Sequence, residues 1–130
     1  MILLRTDMTL PLFFLIIVSV MLSALAQITL KHGMSTDAVQ AALSVGGGRA
    51  LWVVGTNLYV LGGLSLYGFG AILWLGVLAK VDVSLAYPFV AFGFILTMCF
   101  AILISGETVS GLRIAGTILI AAGAMLVARS

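Results

Sequence analysis

Ser19, Ser23, Gln27 and Lys31 recur every four residues through an otherwise apolar stretch. On a helix that spacing puts all four on one face, drifting slowly around the axis. A stripe of hydrogen-bonding groups ending on a cation suits a polar or anionic head group. It equally suits interhelical hydrogen bonds plus a lysine that snorkels to the membrane surface. Polar groups are costly in hydrocarbon, so their placement is the main functional signal in this chain.

The other candidates are more scattered. Pro88 lacks the donor that would bond the Ser84 carbonyl in a continuous helix, which frees a backbone acceptor beside Tyr87. Proline is also simply tolerated near a first turn. Glu107 precedes Thr108 and Ser110, where a carboxylate favours the positive end of the following helix. That structural role outweighs catalysis, because no second carboxylate lies nearby in sequence to form an acid/base pair. Tyr67 and Trp74 are seven apart and could line one cavity. Gly116 and Gly123, also seven apart and flanked by Ala115 and Ala122, form a smooth strip for close helix approach. Packing within a subunit and packing between subunits both fit that strip.

Several tempting motifs fail on context. Gly46-Gly47-Gly48 lacks the Lys-Ser/Thr ending of a phosphate loop and reads as a flexible joint. Gly62-Gly63 and Gly68-Phe69-Gly70 lie in an apolar run with no strand before them, so helix packing accounts for them better than a dinucleotide site. His32 is a lone interfacial histidine with no assigned role. Cys99 stands alone in an apolar run, permitting neither an internal disulfide nor a metal cluster. With no nucleophile–base pairing either, the chain is not expected to be an enzyme, nor to use a cofactor or metal.

These residues must be positioned by membrane helices. Of 130 residues, 63% are hydrophobic and 8% charged, and the mean hydropathy is +1.33. A soluble domain carries about 25% charged residues, so this chain cannot cover itself with polar surface, and a disordered chain would need the opposite composition. The net charge of +2 comes with six scattered basic residues, which form no patch to track a nucleic acid. A spanning helix needs about 20 mostly apolar residues. Four runs qualify, at about 10–30, 51–79, 83–105 and 111–128, and the only charge inside them is Arg113. The second run is long enough to begin outside the membrane or to tilt. Tight turns at Lys80–Asp82 and Gly106–Ser110 join antiparallel neighbours, and Asp82 or Ser84 is placed to cap the third helix. Arg5, the apolar stretch and Ala24-Leu25-Ala26 imitate a secretory signal. The apolar region outruns the usual ~7–15 residues, so it is read as a mature helix. Arg5, Lys80 and Arg129 fall on one side of the membrane and Lys31, Arg49 and Arg113 on the other. The positive-inside rule therefore gives no orientation. The expectation is one all-α domain, residues 1–130, of four transmembrane helices. Four thin helices enclose no path, so a pathway implies at least two chains.

With these residues in view, the chain resembles a four-helix member of the drug/metabolite transporter superfamily. It resembles the small multidrug resistance proteins in general layout, and it more closely resembles subunits of the flippase for aminoarabinose-phosphoundecaprenol. The matching pieces are Leu22-Ser23-Ala24 through Gln27 and Lys31, Leu73-Trp74, Ala86-Tyr87-Pro88, Glu107 with Val109-Ser110, and Gly116 with Gly123. Multidrug members carry a membrane-embedded glutamate in the first helix; the matching position is Ser23. Their tryptophan three residues after the Ala-Tyr tyrosine is Val90. Without that carboxylate, drug/proton antiport loses its titrating group and a cationic drug its counter-charge. The resemblance implies a flippase subunit of the bacterial inner membrane, working as a homodimer or a heterodimer with a related small subunit. It would pass the head group of an undecaprenyl-phosphate-linked sugar along a polar groove while the tail stays among membrane lipids. Ser23, Gln27, Lys31, Trp74, Tyr87 and Pro88 are the expected substrate-binding residues, and Glu107 stands as structural or as a further site. The alternatives are a drug or small-molecule transporter of the same fold, or a non-transporting membrane partner of a glycosyltransferase.

Overall fold

The computed structural model describes residues 10–129, without the side chain of Tyr87. Arg5, counted above for orientation, lies outside the described residues. The helices are α1 (Leu10–Met34), α2 (Asp37–Val45), α3 (Gly47–Thr56), α4 (Leu58–Leu78), α5 (Val83–Ala86), α6 (Val90–Leu103) and α7 (Gly111–Arg129). A 3₁₀ turn, Tyr87–Phe89, joins α5 to α6. Among the described residues, four stretches are long and apolar enough to cross a membrane: α1, α4, the segment Val83–Leu103, and α7. The molecule is an all-α, multi-pass membrane protein.

The boundaries differ from the sequence expectation where local polar groups intervene. α1 continues to Met34, so Lys31 lies inside a helix and not in a loop. Its end is stopped by hydroxyls that satisfy exposed carbonyls: Ser35 Oγ donates to Lys31 O (2.7 Å) and Thr36 Oγ1 to Gly33 O (2.9 Å). Thr36 Oγ1 then accepts from Val39 N (3.4 Å) and caps α2. Residues 31–50, which lie between the first two expected runs, are therefore largely helical. Gly46 and Gly47 turn the corner between α2 and α3 with φ of 79° and 66°, values that only glycine adopts without strain. The run expected from 51 is split at Asn57, whose side chain accepts from Val60 N (3.0 Å) and starts α4 afresh. Leu51–Thr56 thus close α3, and the span proper is Leu58–Leu78. Near Pro88 the backbone tightens to the 3₁₀ turn, as loss of a helical donor requires.

Tertiary packing is built on α1 and α4. They run antiparallel, which four close approaches record. A Cβ on Gly33 would meet Val60, one on Gly63 would meet Leu30, one on Gly70 would meet Ser19 O and Leu22, and one on Gly76 would meet Leu15. Small residues at such positions let two backbones approach without a clash, the usual basis of helix association in lipid. At one end of this pair Leu12, Ile16, Val20, Val77, Val81 and Ala86 form the buried core, with Leu15, Trp74, Phe89 and Leu96 packed around it. α6 also packs against α1.

α7 is different. It touches α6, α5 and the 3₁₀ turn, makes little contact with α1 or α4, and has no buried residue. Thr117 Oγ1 contacts Met98 Sδ at 3.7 Å across the α6–α7 interface. Leu119 and Leu126 are 72% and 73% exposed, which lipid accommodates and water does not.

Candidate functional site

Because α7 stands off α1 and α4, a cavity of about 770 Å³ opens between α1, α4, α6 and α7. Most of its wall is apolar, including Val20, Ala24, Val90, Phe94 and Ile120. The polar groups come from every side: Ser19, Ser23 and Gln27 from α1, Tyr67 and Trp74 from α4, Thr97 from α6, Glu107 from the turn before α7, and Arg113 and Thr117 from α7.

The stripe on α1 separates into parts with different surroundings. Ser19 is buried, and its Oγ donates to Gly70 O at 2.8 Å, so its hydroxyl serves the α1–α4 contact. Ser23, one turn on, is half-buried on the cavity wall, and Gln27 is exposed there. Lys31 is exposed one turn further and is not among the cavity-lining residues. It lies beside His32, whose ring meets that of Tyr59 edge-on at 4.6 Å between centroids.

Tyr67 and Trp74 line the same cavity, two turns apart on α4. Pro88 is placed elsewhere: with Phe89, Phe92, Met125 and Arg129 it borders a small hollow of about 140 Å³ by the far end of α7. Tyr87, expected to bind substrate, has a side chain outside the described residues. Gly116 and Gly123 face open space, with no heavy atom within 4 Å of where a Cβ would lie. Among the described residues no group of three or more His, Cys, Asp or Glu could hold a metal ion.

Arg113 is the lining residue that sequence reasoning noted but did not enlist. The signal was available, since it is the one charge inside an apolar run and intramembrane charges mark sites by default. Glu107 enters the site because the turn before α7 is held at three points. Gly106 takes φ 68°, Glu107 N donates to Ala101 O (3.1 Å), and Ser110 Oγ accepts from Arg113 N (3.1 Å). The result is a pocket with hydrocarbon walls and, among its described lining residues, two opposite charges. Gln27 on α1 lines the same cavity. A cavity lined by both charged and apolar groups offers an amphiphile a partner for each of its parts.

Comparison with known proteins points the same way. Over 67 residues the chain is 40% identical to the probable 4-amino-4-deoxy-L-arabinose-phosphoundecaprenol flippase subunit ArnE of Pseudomonas aeruginosa, strain UCBPP-PA14, covering 52% of this chain and 58% of the relative. The likeness is to a flippase subunit. The protein of the same name from Pseudomonas paraeruginosa is 39% identical over 66 residues, 51% of this chain and 57% of the relative. The matched stretch thus spans little more than half the length of these curated relatives. No protein-family model and no solved structure matches the chain.

Proposed function

We propose that this chain is a flippase subunit that moves an undecaprenyl-phosphate-linked, aminoarabinose-like sugar between the leaflets of the bacterial inner membrane. The observation that carries the reading is the cavity: hydrocarbon walls, polar and charged lining at Gln27, Glu107 and Arg113, and a side left open where α7 stands off α1 and α4. The sugar-phosphate head group occupies the polar end, while the prenyl chain leaves through the open side into lipid. The names of the similar proteins support this choice of substrate.

Ser23 bears on the rival drug transporter. It lines the cavity where the multidrug pattern would place a carboxylate, so a cationic drug finds no counter-charge at that point of α1. The partner is a second small subunit, identical or related, seated on the lipid-exposed face of α7. That placement draws on the empty space over Gly116 and Gly123.

The test uses intact cells that make the amine-bearing lipid, so that any partner subunit is present. An amine-reactive, membrane-impermeant reagent reads the fraction of the lipid in the outer leaflet of the inner membrane in spheroplasts. Deleting the gene for this chain should lower that fraction, and restoring it should recover it. An unchanged fraction after deletion removes the proposal.

A further inference from the structure

Glu107 and Arg113 are the two charged residues among the described groups that line the cavity. They lie six positions apart, one in the turn before α7 and one in its first turn. Their backbones are fixed: Glu107 N bonds Ala101 O, Arg113 N bonds Ser110 Oγ, and Arg113 O accepts from Thr117 Oγ1 (2.9 Å). An anion alone would be attracted by Arg113 and repelled by Glu107. A cation alone would meet the reverse. A head group carrying both signs satisfies both residues.

We infer that Glu107 and Arg113 make this cavity selective for a zwitterionic lipid head group, Arg113 taking the phosphate and Glu107 the ammonium. The inference rests on the flippase reading and sharpens it: the amine becomes a recognised feature of the substrate and not a passenger. Arg113 forms charge-assisted hydrogen bonds to phosphate oxygens through its planar fork, and Glu107 accepts from the ammonium. Glu107 is thereby a specificity-determining residue. A neutral substituent in place of the amine forfeits the charge-assisted bond to its carboxylate, and that loss is the discrimination.

The experiment measures equilibrium binding to the full chain in polymer nanodiscs cut from native membranes, which retain associated subunits. The probes are three short-chain prenyl phosphodiesters of the same pentose, bearing at the 4-position an amine, a hydroxyl or an acetamide. Wild type should bind the amine probe about tenfold or more tightly than the other two, as expected for one charge-assisted hydrogen bond. Glu107→Gln should erase that ratio while keeping affinity for the hydroxyl probe, and Glu107→Asp should keep most of it. Arg113→Gln should weaken all three probes. Glu107 is exposed in a turn, and the ratio is read within each protein, so an altered amount of folded variant does not affect it. Binding of all probes with equal affinity by wild type overturns the inference and leaves the flippase reading standing. An unchanged ratio in Glu107→Gln does the same. If Glu107 serves only as an internal partner of Arg113, its loss shifts all three probes alike, which also overturns the inference. Failure of wild type to bind any probe removes the flippase reading and this inference with it.

Discussion

The Ser19 hydroxyl donates to the Gly70 carbonyl at 2.8 Å, tying the middle of α1 to the middle of α4. Ser19 belongs by spacing to the polar stripe, yet it is 4% exposed and its donor is committed. Ser19→Ala should cost about 0.6–1.5 kcal/mol, the range for an interhelical side-chain hydrogen bond in a membrane protein. The Gly70 carbonyl loses one donor, but a helical carbonyl has a second bonding site. Unfolding in mixed micelles measures the loss, and transport by the folded fraction should be close to wild type. A several-fold fall in specific transport would return Ser19 to the binding stripe.

Gly62 and Gly63 provide a matched pair on α4. A Cβ at Gly63 would lie 2.7 Å from Leu30 Cγ and 3.1 Å from Leu30 N, whereas one at Gly62 meets nothing within 4 Å. Gly63→Ala should destabilise by about 1–3 kcal/mol through overpacking against α1. Gly62→Ala should be neutral or stabilise by up to about 1 kcal/mol, since alanine is the better helix former. Equal effects of the two, measured by thermal unfolding, would contradict the α1–α4 register.

Asn57 sets where the second span begins. Its Oδ1 accepts from Val60 N at 3.0 Å, and its Nδ2 reaches Thr36 Oγ1 at 3.5 Å, linking the start of α4 to the turn after α1. Asn57→Ala should cost about 1–2 kcal/mol and raise hydrogen exchange at the first amides of α4. Protection unchanged at Val60 would show that the cap is dispensable.

Gln27 lines the cavity and Lys31 does not. Gln27→Ala should reduce lipid-sugar transport about two- to tenfold, the value of one or two neutral hydrogen bonds. Lys31→Ala should have a smaller effect that fades at high salt, because an exposed charge beyond the site acts by long-range attraction. Unchanged transport in both variants would remove the α1 face from the site.

Gly116→Leu and Gly123→Leu test the proposed seat of a second subunit on α7. Beyond the adjacent residues and the local helix backbone, no heavy atom lies within 4 Å of either Cβ position, so thermal stability of the single chain should stay within about 0.5 kcal/mol. Association between subunits, read by cross-linking in membranes, should weaken because the bulk blocks close helix approach. Association unaffected by both changes would move the interface to another face.

The spans were legible because hydropathy is a local property: twenty apolar residues seek lipid whatever surrounds them. So were the α1 stripe and the pairing of Tyr67 with Trp74, since helical periodicity alone puts residues four or seven apart on one face. The same local reasoning marks Gly62, Gly63, Gly68 and Gly70 as packing glycines together, and only Gly63 and Gly70 have a neighbouring helix within reach. The break at Asn57 and the helices across 37–56 were harder to read, because caps act through one or two hydrogen bonds that leave hydropathy unchanged. Which member of the stripe serves packing and which is left on the cavity wall depended on where α4 lies, as Ser19 and Ser23 have the same chemistry. Pro88 and Lys31 fell away from the cavity for the same reason: their chemistry suited it, and the helix crossings put them elsewhere. The sequence by itself determined a four-span chain with no acid in its spans. Only the tertiary structure brought Glu107 and Arg113 to the same cavity as Gln27, because that meeting depends on the crossing of α1, α4 and α6 and on α7 packing on α6 while standing off α1 and α4.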